Sequence, residues 1–131
     1  MDKRRLPPFA SGSIVEDYET LFIYWEKARS RGREDLIEKS TLSNTDFDKL
    51  RVIVEEGTLT LEELLDRLAR DMTERIDPEV AVEALRERRI SLEADDARRY
   101  LARILAGWLI EAGEYWSILR LRRRWTSGRE A

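Results

Sequence analysis

Leu101, Ile104, Leu105, Trp108, Leu109, Ala112, Tyr115, Trp116 and Leu119 recur at the three- and four-residue spacing that puts side chains on one face of an α-helix. The run that contains them, from about Leu92 to Trp125, would reach roughly 50 Å as a single helix at 1.5 Å per residue. A helix of that length either passes beyond a small domain or forms its central member, so the rest of the chain has to be arranged around it. Ala102, Ala106, Gly113 and Ser117 line a second side, where small residues let a neighbouring backbone approach closely. Gly107 and Gly113 each cost a helix interior about 1 kcal/mol relative to alanine, which points to a packing requirement. The expectation is a helix contacted on two sides.

The 131 residues suffice for one core, and four more helices are expected ahead of the long one. Ser13 and Glu16 have capping-box spacing, and Ile14, Tyr18, Leu21, Phe22, Trp25 and Ala28 predict a core stripe that ends at Arg29, Arg31 and Gly32. A short segment, EDLIEKSTL, leads to a helix carrying Phe47, Leu50, Val52, Ile53 and Val54 and stopping at Gly57, although Val-Ile-Val also suits a strand. Thr60 and Glu63 open a third helix with Leu61, Leu64, Leu65, Leu68 and Met72 on one side. Asp77-Pro78 opens a fourth, through Val80, Val82, Ala84 and Leu85 toward the basic Arg88-Arg89. The expected fold is therefore an all-α, single-domain bundle of about five helices with a long C-terminal helix. Its boundaries are a basic, proline-containing arm over 1–12, a helical domain over 13–125 and a disordered tail over 126–131.

Chemistry is restricted by what the chain lacks. It has no cysteine and no histidine, so disulfides, thiolate metal sites and the usual general base are excluded, and neither catalysis nor a cofactor or metal is expected. The acidic groups Glu55-Glu56, Glu62-Glu63-Asp66 and Glu93-Asp95-Asp96 stand mostly at helix N-termini, where the helix dipole already favours acids. No EF-hand spacing or phosphate-binding glycine loop accompanies them. With no apolar run of membrane-spanning length and no leader-type apolar region behind the basic start, the expectation is a cytoplasmic protein without a membrane partner. Arginine outnumbers lysine, and one Asn stands with no Gln, a composition that suits a thermophile and equally a GC-rich genome.

The net charge of −3 hides a strong asymmetry. Lys3, Arg4 and Arg5 make the start basic, and Arg120, Arg122, Arg123, Arg124 and Arg129 make the end basic, so the body between them is acidic. Any nucleic-acid or acidic-partner contact is thereby confined to the termini, at Lys3, Arg4, Arg5, Arg120, Arg122, Arg123 and Arg124. In YWSILRLRRRW, residues 115–125, a helical wheel separates Arg120, Arg123 and Arg124 from an apolar side of Ile118, Leu121 and Trp125. Arginines at a helix end also complement its dipole, by about 0.3–1 kcal/mol each, without any ligand. Trp, Tyr and Arg are the residues enriched at protein interfaces, so Trp116, Ile118, Leu121 and Trp125 are the candidate docking residues for protein subunits of a larger complex.

Two arrangements suggest a role. Helix, glycine turn, helix and third helix in FDKLRVIVEEGTLTLEELLDRLARD and DPEVAVEALRERRIS follow the order of a winged helix, but the would-be recognition helix begins Asp77-Pro78-Glu79, which is acidic where bases would be read. YETLFIYWEKARSRGREDLIEK with TDFDKL, and YLARILAGWLIEAGEYWSILRLRRRW, resemble the opening helices and the long basic-ended helix of archaeal GINS subunits of the replicative helicase assembly. The resemblance covers residues around 18–50 and 100–125; Thr58 to Ile90 stands as an insertion, and no small β-domain follows the last helix. It implies a non-enzymatic scaffold or adaptor in a DNA-replication or other nucleic-acid-processing complex. The same helical features fit the small helical subunits of CRISPR effector complexes.

Overall fold

The structure is a computed structural model that describes the backbone of residues 14–57 and 59–130 and the side-chain surroundings of 15–57 and 59–113. It is all-helical. In chain order the elements are α1 (Ile14–Ser30), the short α2 (Glu34–Lys39), α3 (Asn44–Glu56), α4 (Leu61–Met72), a 3₁₀ turn (Thr73–Arg75), α5 (Pro78–Glu87) and α6 (Ala94–Glu130). No strand occurs among the described residues, so Val52-Ile53-Val54 is helical. The helical backbone of α6 continues beyond Trp125 to Glu130. The arm over 1–12 and the Ser13 half of the first capping box lie outside the described residues.

Local chemistry sets most boundaries where the sequence places them. Ser43 with Asp46, and Thr60 with Glu63, form reciprocal capping boxes at the starts of α3 and α4. The Asp77 carboxylate accepts the Val80 N–H at 3.0 Å, with Pro78 at the first helical position. Gly57 ends α3 at φ 68°, a left-handed conformation that costs glycine little. α5 makes the same kind of exit without glycine. Arg89 sits at φ 63°, its N–H bonded to the Arg86 carbonyl, while the Ile90 N–H reaches Leu85 O. These are the two bonds of a Schellman motif, closed by a residue whose Cβ resists the conformation.

Around α6 stand α4, α5, α3 and α1, and α2 leans on α1. Leu101, Ile104, Leu105 and Leu109 of the expected stripe are buried, and so are Ala102, Ala106 and Gly113 of the small-residue side, so α6 is packed on two sides as anticipated. Ala97 and Ile110 join them in the core. α1 and α5 run antiparallel, with ion pairs from Arg31 to Glu83 and Glu79, from Lys27 to Glu87 and from Arg88 to Glu19. These lie at the surface, so they define register more than they add stability.

The stripe of α1 is rotated from its expected position. Asp17, Thr20, Leu21, Tyr24 and Ala28 are buried, whereas Phe22 is 57% exposed. Tyr24 explains the rotation, because its hydroxyl accepts the Asp77 N–H at 2.9 Å and so satisfies the backbone at the start of α5. Burial is the main cause that raises its pKa, keeping the phenol protonated. In α3 only Leu50 and Ile53 of the expected apolar set are buried, with Phe47 half-buried and Val52 and Val54 exposed.

The connection from α4 to α5 is held by polar side chains from three helices. Arg75 makes a two-pronged ion pair with Asp46 of α3, which also accepts the Ser43 N–H at 2.9 Å. Arg98 of α6 donates to Ile76 O at 3.0 Å and Thr73 O at 3.2 Å, and Tyr24 of α1 receives the Asp77 N–H. Burial works to raise the Asp46 pKa, but the Arg75 guanidinium and the Ser43 donors outweigh it and hold the carboxyl below the usual carboxylate range. A depressed folded-state pKa gives stability that is present above the unfolded-state value of about 3.9 and is lost as pH falls through the folded value.

Two outcomes follow from these local structures. Asp46→Asn should lower unfolding stability by about 1.5–3 kcal/mol at neutral pH in urea titrations. That difference from the unmodified chain should shrink as pH falls below about 4, where the unfolded-state carboxyl takes up a proton, and should be lost once pH has fallen through the lower native value. Arg89→Gly should raise stability by about 1 kcal/mol, read by the same titrations, because it removes the left-handed penalty and keeps both backbone bonds.

Candidate interaction surface on the long helix

The docking residues proposed from sequence, Trp116, Ile118, Leu121 and Trp125, and the basic set Arg120, Arg122, Arg123 and Arg124 all stand on the helical backbone of α6. Their side chains, like all of Lys3, Arg4 and Arg5, lie outside the described residues. The structure does describe the preceding part of α6, residues 94–113, and the helices packed around it.

Two helices grip α6 there. From α3, Leu50 and Phe47 close on Gly113, where an added Cβ would overlap Leu50 Cδ2 and stand 3.6 Å from its Cγ and 3.8 Å from Phe47 Cδ1. The glycine is therefore a close-approach position, as its place on the small-residue side suggested. From α1, the Tyr18 hydroxyl donates to Glu111 Oε1 at 2.6 Å. Burial is the first cause that raises the Tyr18 pKa far above its ordinary value, followed by the hydrogen bond to Glu111 and the nearby charges of Glu111 and Asp17. The phenol stays protonated, so it remains a donor throughout the working pH range.

One turn back along α6, an aromatic row crosses from one helix to the other. Trp108 meets Trp25 edge-to-face at 6.1 Å between ring centroids, and Trp25 meets Phe22 in the same way at 5.5 Å. The indole N–H of Trp25 donates to Ser40 Oγ at 2.8 Å, and Ser40 in turn donates to Leu36 O, so the row is fixed at its middle ring by the end of α2, and Trp108 on α6 forms one end. Its other end, Phe22, is open, as is Val15 at 66% exposure two turns earlier on α1. Sequence reasoning assigned Phe22 to the core and passed over Val15. The signal that separates them is angular: Phe22 and Val15 stand about 140–160° from Asp17 on the α1 wheel, away from the centre shared by Leu21, Tyr24 and Ala28.

Other residues with candidate chemistry have structural partners. Glu63 completes the α4 capping box, Asp66 receives Arg103 at 2.7 Å and Asp96 receives Arg99 at 2.9 Å. No group of three or more Asp or Glu side chains able to hold a metal ion occurs among the described residues. The acidic start of α5, which a winged helix would offer to bases, is bonded to Tyr24, and residues 88–93 connect α5 directly to α6. No helix among the described residues is long and apolar enough to cross a membrane.

The fit at Gly113 gives a sign test. Gly113→Ala gains about 1 kcal/mol of helix propensity but overpacks Leu50, at a cost of about 1–3 kcal/mol, so stability should fall. In a Leu50→Ala background, itself about 2–5 kcal/mol less stable, the same change should raise stability. Chemical denaturation of the four chains reads both signs.

Comparison with protein-family models, curated proteins and solved structures finds no match to this chain.

Proposed function

We propose that the chain is a non-enzymatic scaffold or adaptor subunit of a larger assembly, and that it docks through the C-terminal part of α6. The observation that carries this reading is the relation of α6 to its neighbours. α1, α3, α4 and α5 all pack against it, and from Gly113 its helical backbone continues to Glu130, about 25 Å further. That continuation carries Trp116, Ile118, Leu121 and Trp125 together with four of the five C-terminal arginines in positions 120–124. Amphipathic helices of this composition suit helix-in-groove recognition, with aromatic anchors and a basic rim.

The proposed host is a nucleic-acid-processing complex. The resemblance of residues 18–50 and 100–125 to archaeal GINS subunits supports a replicative helicase assembly, and the arginine-rich composition is in keeping with a heat-adapted source. In this reading the protein has no chemistry of its own, consistent with a sequence that lacks both histidine and cysteine. Contact with nucleic acid is secondary and confined to the basic termini, because the acidic body repels phosphate.

Affinity purification from the source organism tests the reading. The tagged chain should retain helicase-assembly proteins, and Trp116→Ala with Trp125→Ala should release them while circular dichroism stays unchanged; retention by the double variant would overturn the docking site. Titration with duplex DNA at two salt concentrations examines the termini, where binding should weaken with a log–log slope near −0.9 per neutralised phosphate. Absence of binding at low salt would remove the nucleic-acid contact from the proposal.

A further inference from the structure

The connection from α5 to α6, residues 88–93, carries Arg88-Arg89-Ile90-Ser91-Leu92. Among the described serines, Ser30 donates to Glu26 O, Ser40 to Leu36 O and Ser43 to Asp46 Oδ2, whereas Ser91 is exposed and makes no hydrogen bond. Its hydroxyl is free to react. Arginines three and two residues ahead of a serine, with an apolar residue directly after it, form the pattern that basophilic serine kinases select. The acidic groove of such a kinase pairs with the guanidinium groups, and an apolar pocket takes the following side chain.

We propose that Ser91 is a phosphorylation site for a kinase of this class. Ser91 Oγ attacks the γ-phosphorus of ATP: the Oγ–P bond forms, the bond from that phosphorus to the β,γ-bridging oxygen breaks, ADP leaves, and the hydroxyl proton passes to a carboxylate base of the kinase. A second arginine pair, in Arg123-Arg124-Trp125-Thr126, is followed by threonine and then by the polar Ser127. The full pattern belongs to Ser91.

A kinase groove holds its substrate extended, so residues 88–92 have to be drawn out of the folded loop. There Arg88 is ion-paired with Glu19 of α1 at 2.8 Å, the Ile90 N–H is bonded to Leu85 O, and Ile90 and Leu92 pack partly against the core. Three features make that opening cheap and local. The Arg88–Glu19 pair lies at the surface, where ion pairs hold weakly. Arg89 is exposed, enters no ion pair and gives up its left-handed φ of 63° when the loop extends, so relief of strain favours the open form. Among the described residues no backbone hydrogen bond involves Ser91 or Leu92, and the first turn of α6 is closed beyond them, by the Ala97 N–H on Glu93 O at 2.8 Å. The phosphate then adds a charge of about −1.5 to −2 at neutral pH beside the unpaired Arg89, and it competes with Glu19 for Arg88 where α5 is tied to α1. The site is separate from the C-terminal docking surface and stands whether or not that surface has a partner.

Incubation of the full chain with magnesium ATP and the catalytic subunit of cyclic-AMP-dependent protein kinase, a member of this class, provides the test. Intact mass and fragment mapping should show phosphate on Ser91, and Ser91→Ala should take none there. Arg89→Gly, expected to be the more stable chain, should react more slowly by at least about tenfold, because it lacks one of the paired guanidinium groups and the strain that opens the loop. Circular dichroism confirms that each substrate is folded. A folded chain that takes up no phosphate, phosphate found on Thr126 or elsewhere and not on Ser91, or an unchanged rate in Arg89→Gly would each overturn the proposal.

Discussion

Burial of α6 on two sides is the constraint on which the other elements depend. α1, α3, α4 and α5 all meet it, and only the short α2 is held at one remove, through α1. The broad face of Leu101, Ile104, Leu105 and Leu109 supplies apolar area, whereas Ala102, Ala106 and Gly113 supply proximity. The two sides do different work. Large side chains provide hydrophobic stabilisation roughly in proportion to the area removed from water, while small ones let neighbouring helices approach. Gly113 shows how close that approach is, because Leu50 occupies the space that a Cβ would need.

A second, polar framework holds what α6 does not. Between α4 and α5 the backbone leaves the regular helix, its Asp77 N–H is answered by Tyr24 and its Thr73 and Ile76 carbonyls by Arg98, while the Arg75 side chain ties it to Asp46 of α3. No buried side-chain nitrogen or oxygen among the described residues lacks a partner. This satisfaction matters because an unpaired buried polar group costs about 1–3 kcal/mol. It also ties α1, α3 and α6 to one short stretch of chain. The core is thus specified by hydrogen-bond geometry as well as by apolar shape.

The proposed docking surface and the aromatic row share a physical origin in α6. Near Trp108 the helix lies within the bundle and its aromatic face continues onto α1 through Trp25; beyond Gly113 the same helix runs on to Glu130. Packing of residues 94–113 in the bundle gives this helix a stability that an isolated helix of about 12–15 residues lacks in water. The acidic body and basic ends give the molecule two regions of opposite sign, which favours attachment by its extremities.

The order of the longer helices and most of their boundaries were legible in the sequence because they follow from local chemistry, whereas the short α2 stood there only as a connecting segment. The capping box at Thr60, Pro78 after Asp77, and Gly57 act within a few residues of themselves. The two packed sides of α6 were legible for the same reason, as large and small residues separate on a helical wheel. Tertiary structure alone decided which face of α1 turns inward. Tyr24 enters the core because a distant N–H at Asp77 needs an acceptor, and Phe22 consequently turns outward. The pairing of Asp46 with Arg75 was hidden likewise, because it joins residues 29 apart in sequence that only the assembled helices bring together. Local sequence determines where a helix starts and stops; the groups it must satisfy across the fold determine how it is turned.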